Sequence, residues 1–517
     1  MKNKQLFTLL TMAIGIFLCI LDTTVMNIAL PAIQTGLHTD LNKLQWALNI
    51  YTITFATLTI PLGRLADHFG QNRVYLIGLF VFIVGSMISG ASSSVNLLIV
   101  GRGIQSIGAA IIFPTSMTIG INTIDIKQRD QAILILGLTQ GLAAAFGPTF
   151  GGLFTQLWTW RSIFFINVPF AVLSLILCLI LLPFKNESRV KTSVDVLGMI
   201  LSGIILFSLT LALVQGSTWG WLSFSILGLF TTFSISLILF LLHESRCTNP
   251  MIQLDLFKHR HFVGSIVVTV ISGIFFVAII VILPSYFTKI QGYSELQAAI
   301  MITPATLMVL IFSPFSGLLL KKIGPRLLIT TGVLAIIAGY VGMSVSNLTI
   351  YWQLAVSISL IGIGYGIIVG PITILSAGNF TGDLLTASQS VTGVFRQIGT
   401  VLAVAIFVTA LSNNLVTAKR IIWDDAQNSV KKICVSENER KKIATLTYHD
   451  IYFSEGSSDN IKQTEKISPQ VKKYRLGVKK NVQIQMTNAF IRPYRIATPF
   501  TVAFLSSIFI FKRKRYN

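Results

Sequence analysis

Charge is scarce in this chain. Only 11% of its 517 residues are Asp, Glu, Lys or Arg, where a soluble domain carries about 25%. With 53% of residues apolar and a mean hydropathy of +0.74, too few polar side chains exist to coat a globule of this size. That excludes a soluble enzyme and makes lipid the solvent. Acid is the scarcer sign, 19 Asp and Glu against 40 Lys and Arg, for a net charge of +21. No basic stripe interleaves with aromatic residues, so the excess does not read as a nucleic-acid surface. Cysteine is also sparse, four in all. Cys19 and Cys178 lie within apolar runs, Cys247 in a predicted cytoplasmic loop and Cys434 alone in a predicted external segment, which gives no disulfide framework. No glycine loop followed by Lys-Ser or Lys-Thr occurs, which argues against ATP-driven pumping, and nothing calls for a cofactor. His259, His261 and Asp255 read as a loop end rather than a metal site.

What fills the chain instead is fourteen apolar runs, from 6–30 to 491–511, each long enough to cross roughly 30 Å of hydrocarbon. Lys2 and Lys4 precede the first run, which continues to about Asn27 without a small-residue cleavage site and so reads as a retained helix. The last run is the weakest, because Arg492, Pro493, Arg495 and Pro499 crowd its start. If both ends are cytoplasmic, the inside loops hold Arg64, Arg73, Lys127, Arg129, Lys185, Arg189, Lys191, Arg246, Lys258, Arg260, Lys321, Lys322 and Arg326. The short outside loops hold only Lys43, Arg161 and Lys289. Thirteen against three sets the orientation. Lys512 to Arg515 close the last run on the same side. The stretch 412–488, with 14 basic and 8 acidic residues, then falls outside, as long loops translocate regardless of charge.

Two segments repeat at a nearly constant offset. GRLADHFG (Gly63, Gly70) returns 254 residues later as GLLLKKIG (Gly317, Gly324), and GAAIIFP (from Gly108 to Pro114) returns loosely as GYGIIVGP (from Gly364 to Pro371). Each glycine pair of the first segment opens a basic cytoplasmic loop. The spacing implies an all-α membrane protein of two parallel six-helix bundles with two helices inserted between them. The expected divisions are 1–184 for the first bundle, 185–261 for the inserted pair, 262–411 for five helices of the second bundle, 412–488 for a long polar outer loop, and 489–517 for the last helix and a basic tail.

Over about residues 5–411 the sequence resembles the major facilitator superfamily, specifically its fourteen-helix drug:proton antiporters. LDTTVMNIALP (Leu21 to Pro31) is similar to the family's first-helix motif. GRLADHFGQNR matches its cytoplasmic loop motif at Gly63, Leu65, Asp67, Gly70 and Arg73, with His68, Gln71 and Asn72 in place of the usual basic residues. LIVGRGIQSIGAA matches the fourth-helix motif at Arg102, Gln105, Gly108 and Ala109, with Ser106 where glycine is usual. GLAAAFGPTFGG matches the antiporter motif at Gly141, Gly147, Pro148, Gly151 and Gly152, and WRSIFFINVP follows. The resemblance implies the major facilitator fold, export rather than uptake, and an outer seal between the halves at the antiporter motif. No acid occupies the tenth run, where members handling organic cations carry one.

Elementary physics singles out some of the same residues. Asp22 lies about 9 Å below the outer end of the first helix and Arg102 about 10 Å below that of the fourth, so the two charges share a depth. An ionised side chain among hydrocarbon faces a partner or a wet cavity. Two readings stand: a structural ion pair, or a proton site in which burial disfavours the charged carboxylate, a guanidinium favours it, and a change of separation or hydration moves a proton. Gln105, three residues on, shares the face of Arg102. Gly147 and Gly151 are one helical step apart with Pro148 between, which permits close backbone approach and a bend. Asp67 reads as a solvated charge, as sitting at a helix amino terminus, or as pairing with Arg73. Gln105, Met26, Phe275 and Phe276 are the expected lining of an apolar substrate cavity, with core packing as the alternative for the phenylalanines. The expected function is a monomeric plasma-membrane exporter exchanging protons for small amphipathic molecules. Its rivals are a dedicated metabolite, lipid or peptide transporter on the same fold, and a receptor or scaffold acting through 412–488.

Overall fold

The computed structural model describes residues 3–511 apart from 40, 126–127, 186, 188–194, 248–249, 251, 253, 347–349, 379, 432–435 and 453–468. Lys127, Arg189, Lys191, Cys434 and Lys512 to Arg515 therefore lie outside the described residues. Among those described, every regular element is helical. The first half comprises α1 (Asn3–Gly36), α2 (Leu41–Phe69), α3 (Gln71–Gly90), α4 (Val95–Asn122), α5 (Arg129–Leu157), the single turn α6 (Ser162–Phe165) and α7 (Asn167–Leu181). The inserted pair is α8 (Val196–Trp219) and α9 (Phe224–Glu244). The second half comprises α10 (Arg260–Lys289), α11 (Glu295–Ile323), α12 (Pro325–Val345), α13 (Tyr351–Ala377), α14 (Gly382–Val430), α15 (Glu437–Tyr452) and α16 (Pro469–Ala503). Helix is what lipid dictates, since backbone N–H and C=O groups find no water there.

Among the described residues eleven helices are long and apolar enough to span a membrane, or twelve with the bent α5 counted as one. Of the fourteen runs read from the sequence, α2 and α16 fall short of that test. α2 is interrupted by Asn49 and four threonines, and α16 begins in polar sequence.

The repeat is visible in the backbone. Gly70, at φ 108°, joins α2 to α3, and Gly324, at φ 88°, joins α11 to α12, a conformation that glycine alone adopts without strain. Gly108 of α4 lies against the backbone of α3 at Gly78 and Phe82, and Gly364 of α13 lies against α12 at Gly332 and Ile336. The halves meet along two seams, α5 on α11 and α13, and α14 on α2 and α4. Thr149 and Thr303 hydroxyls stand 3.4 Å apart across the first. Gln71 donates to Thr386 at 3.1 Å across the second, and Arg129 donates to the Phe380 carbonyl. α8 packs on α2 and α14. Asp195 caps α8 through Gly198 N–H at 2.8 Å and meets His243 of α9 at 2.8 Å, which closes the hairpin.

The stretch 412–488 is not a polar loop. α14 runs for 49 residues, roughly 73 Å at helical rise, and so continues well past a bilayer. Leu415, Ala418, Ile422, Ala426 and Val430 form an apolar stripe that packs against Val471, Tyr474, Val478, Met486 and Ala489 of α16. Asn481 donates to Asp425 at 3.0 Å across the same pair. Burial of one stripe explains why a segment of polar composition is helical. α16 then docks into the second half. Tyr494 is fully buried beside Tyr340 and Phe407, and Arg495 donates to the Ser344 carbonyl at 2.9 Å.

Candidate functional site

Asp22 and Arg102 form an ion pair inside the first half, their side chains 3% and 1% exposed. Arg102 reaches across because α1 and α4 pack against each other at the depth both sequence positions share. The carboxylate accepts from Gln105 Nε2 at 2.8 Å and from Asn167 Nδ2 of α7 at 3.1 Å, as well as from Arg102. Arg102 also donates to Gln105 Oε1 at 3.0 Å, and its guanidinium lies 4.2 Å over the Tyr51 ring. Gln105 donates to Ser86 of α3 at 2.8 Å. Five helices, α1, α2, α3, α4 and α7, thus contribute to the cluster around one carboxylate. In low dielectric, charge-assisted bonds of this kind are strong, and breaking any of them is costly. Asn167, Ser86 and Tyr51 were not singled out in the sequence. The signal available was a lone amide in the apolar run FINVP.

The loop motif is arranged differently from the expected Asp67–Arg73 contact. Asp67 is buried and pairs with Arg64 at 3.9 Å, and Gln71 donates to it at 2.8 Å. Asp67 shares a cavity with Thr386, Ala387 and Ser390 in the first turns of α14. Arg73 donates instead to the Phe184 carbonyl at 3.1 Å, because Gly70 turns the chain and carries Arg73 to the far side of α3. Gly63 abuts Ser390, and Gly70 leaves room for the Glu187 carboxylate, which accepts from Asn72 N–H at the start of α3.

The antiporter motif bends α5. Gln131–Ala144 and Phe146–Leu157 meet at 41°, where Pro148 removes an N–H and its ring pushes on the carbonyl four residues back. A side chain at Gly147 would strike Thr24, and one at Gly151 would lie 2.7 Å from the Val25 carbonyl oxygen, both on α1. Gly141 turns toward Val309 of α11 at an ordinary 3.7 Å, and Gly152 is buried. The Gly147 and Gly151 face therefore packs α5 on α1 within one half, while Gly141 and Thr149 face the other half.

Of the expected cavity residues, Phe276 alone stands beside a cavity. It stacks on Tyr365 with centroids 4.3 Å apart and planes at 3°, and Tyr365 lines a cavity with Thr269, Ser272, Thr373 and Arg396. Phe275, one residue round the helix, points into its own bundle, 5.2 Å from Tyr340. Met26 is 1% exposed in an apolar cluster with Leu21, Val25 and Ala143, and Gln105 belongs to the Asp22 cluster. Arg396, passed over in the sequence, is the notable addition. In the His259 region Lys258 pairs with Asp255 at 2.7 Å and holds its carboxyl below the usual pKa, and His259 meets Phe380 edge to face.

Two repeated helical halves meeting along two seams, with a buried charge cluster inside the first, define a membrane carrier of the secondary-transporter class. The family model described as Major Facilitator Superfamily matches residues 12–404, and the chain belongs to that superfamily. It is 29% identical over 415 residues to multidrug resistance protein Stp of Mycobacterium tuberculosis, covering 80% of this chain and 77% of the relative. It is 27% identical over 421 residues to riboflavin transporter RibZ of Clostridioides difficile, covering 80% and 90%. Its fold is similar to that of a bacterial homolog of the human lysosomal transporter Spinster, solved inward-facing and unoccupied, with a TM-score of 0.56 at 15% identity, covering 100% and 99%.

Proposed function

We propose that this transporter is a proton-coupled exporter of amphipathic small molecules in a bacterial-type plasma membrane, working as a monomer by alternating access with both termini cytoplasmic. The observation that carries the reading is the Asp22 carboxylate, held by Arg102, Gln105 and Asn167 with almost no exposure. A buried carboxylate held by one cation and two amides favours taking up a proton when those partners withdraw and releasing it when they, or water, return. A proton entering down 100 mV supplies about 2.3 kcal/mol, and each pH unit about 1.4 kcal/mol, so one site is enough to drive a useful gradient. The likeness to a multidrug resistance protein supports a broad drug-like cargo. The likeness to a riboflavin transporter favours a second reading, a carrier of one metabolite, which a narrow transport profile over a panel of dyes and antibiotics would reveal.

The test is Asp22→Asn in proteoliposomes. The variant should bind a neutral cargo yet lose uphill efflux and substrate-induced proton release. Efflux against a gradient with unchanged proton counterflow would place coupling elsewhere and leave the pair as a structural ion pair.

A further inference from the structure

Arg396 sits on α14, which packs on α10 and α13, and its guanidinium is permanently charged. Among the described residues no carboxylate pairs with it. The Phe113 ring of the opposite half lies 6.0 Å from the guanidinium carbon, at the outer limit of useful cation–π attraction, and Tyr365 shares its cavity. The buried Arg102, by contrast, has its countercharge. A cation facing a cavity within a membrane bundle without one is expensive to keep, and such residues mark a ligand path.

The surroundings say what would complete it. Tyr365 lines the guanidinium's cavity and is backed by Phe276, stacked face to face behind it. Thr269, Ser272 and Thr373 each spend their hydroxyl proton on the backbone carbonyl four residues earlier, at 2.7, 2.6 and 2.8 Å. They therefore offer the cavity oxygen lone pairs only. Arg396 offers donors alone, and the Tyr365 hydroxyl, hydrogen-bonded to nothing among the described residues, can donate as well.

We propose that this cavity, closed down in the present state to about the size of a water, opens during the transport cycle to bind planar aromatic anions: a carboxylate, sulfonate or phenolate on a flat ring system, with hydroxyl or amine donors elsewhere on the ring. The anionic group pairs with the Arg396 fork and the Tyr365 hydroxyl, the ring packs against the side of Tyr365 that Phe276 does not cover, and the donors meet the back-bonded threonine and serine oxygens. The site deepens the exporter reading and rests on it for its setting in the substrate path. It also has a consequence for charge: an anion leaving while a proton enters moves positive charge inward twice, so an inside-negative potential favours both legs.

The experiment is equilibrium fluorescence polarisation with the full chain in nanodiscs and no gradient, subtracting protein-free discs. The probes are fluorescein, an anionic xanthene, and a cationic rhodamine ester on the same ring frame. Wild type should bind fluorescein at least about tenfold more tightly than the rhodamine. Arg396→Gln should weaken fluorescein by about tenfold or more and leave the rhodamine unchanged or tighter, and Arg396→Lys should fall between. Should Arg396→Gln fail to insert, Tyr365→Phe, which keeps the ring and removes the donor, should weaken fluorescein severalfold. Equal or tighter rhodamine binding by wild type, or fluorescein binding untouched in a well-folded Arg396→Gln, overturns the proposal. The measurement is independent of transport. A preference for cations would sink the anion site and leave the exporter standing, whereas coupled efflux persisting in Asp22→Asn would sink the coupling role and leave this binding result intact.

Discussion

At the scale of single residues, the Asp22–Arg102 pair separates a structural from a coupling role through stability. Removing one partner of a buried ion pair costs about 3–5 kcal/mol, whereas replacing both with apolar residues of similar volume is often near neutral. Arg102→Met alone is therefore expected to lower the melting temperature in detergent markedly, and Asp22→Leu with Arg102→Met to recover about half the loss or more. If the pair only locks α1 to α4, the double variant also recovers proton-linked efflux; if it couples, stability returns and coupling does not. The two charges were legible because ionised residues deep in apolar runs are rare enough to stand out. Asn167, Ser86 and Tyr51 were not, since uncharged polar residues occur throughout such runs and nothing in one chain says which converge. Phe275 takes the core alternative for a geometric reason. Adjacent positions on a helix point about 100° apart, so the pair Phe275 and Phe276 divides between core and cavity.

At the scale of elements, α5 carries two glycine faces with different demands. Gly147→Leu and Gly151→Leu drive a branched side chain into Thr24 and the Val25 backbone, overpacking that typically costs about 1–3 kcal/mol. Both should abolish efflux while the protein still inserts at normal levels. Gly141→Ala meets Val309 only at 3.7 Å and should retain most transport. Efflux assays beside membrane-fraction immunoblots check all three, and normal transport by Gly147→Leu would mean that α1 and α5 need not touch in the working cycle. The glycine spacing showed that close approach occurs, but not against which helix, because the partner is chosen by tertiary packing. The same limit hid the extension of α14. Its mean composition is polar, and only the stripe from Leu415 to Val430, matched to α16, makes it helical.

At the scale of the whole molecule, alternating access requires the seam between the halves to open first at one end and then at the other. Both ends are bridged in this structure. Thr149 meets Thr303 at 3.4 Å near the end that the charge asymmetry assigns to the outside, and Gln71 meets Thr386 at 3.1 Å near the end assigned to the cytoplasm. These contacts are short enough that a cysteine at each position can be joined by oxidation or by a short bifunctional thiol reagent. In a chain whose four native cysteines are replaced, Thr149→Cys with Thr303→Cys should lose efflux when cross-linked and regain it on reduction. Gln71→Cys with Thr386→Cys should behave in the same way, since a cycle arrested at either gate completes no turnover. The two pairs also report sidedness. An impermeant reagent applied to intact cells should reach the first pair and miss the second, and Cys247 of the otherwise native chain should likewise stay unlabelled until the membrane is opened. Full turnover by a chain cross-linked at either pair would show that the halves do not part there, and would require the substrate path to lie elsewhere than between them.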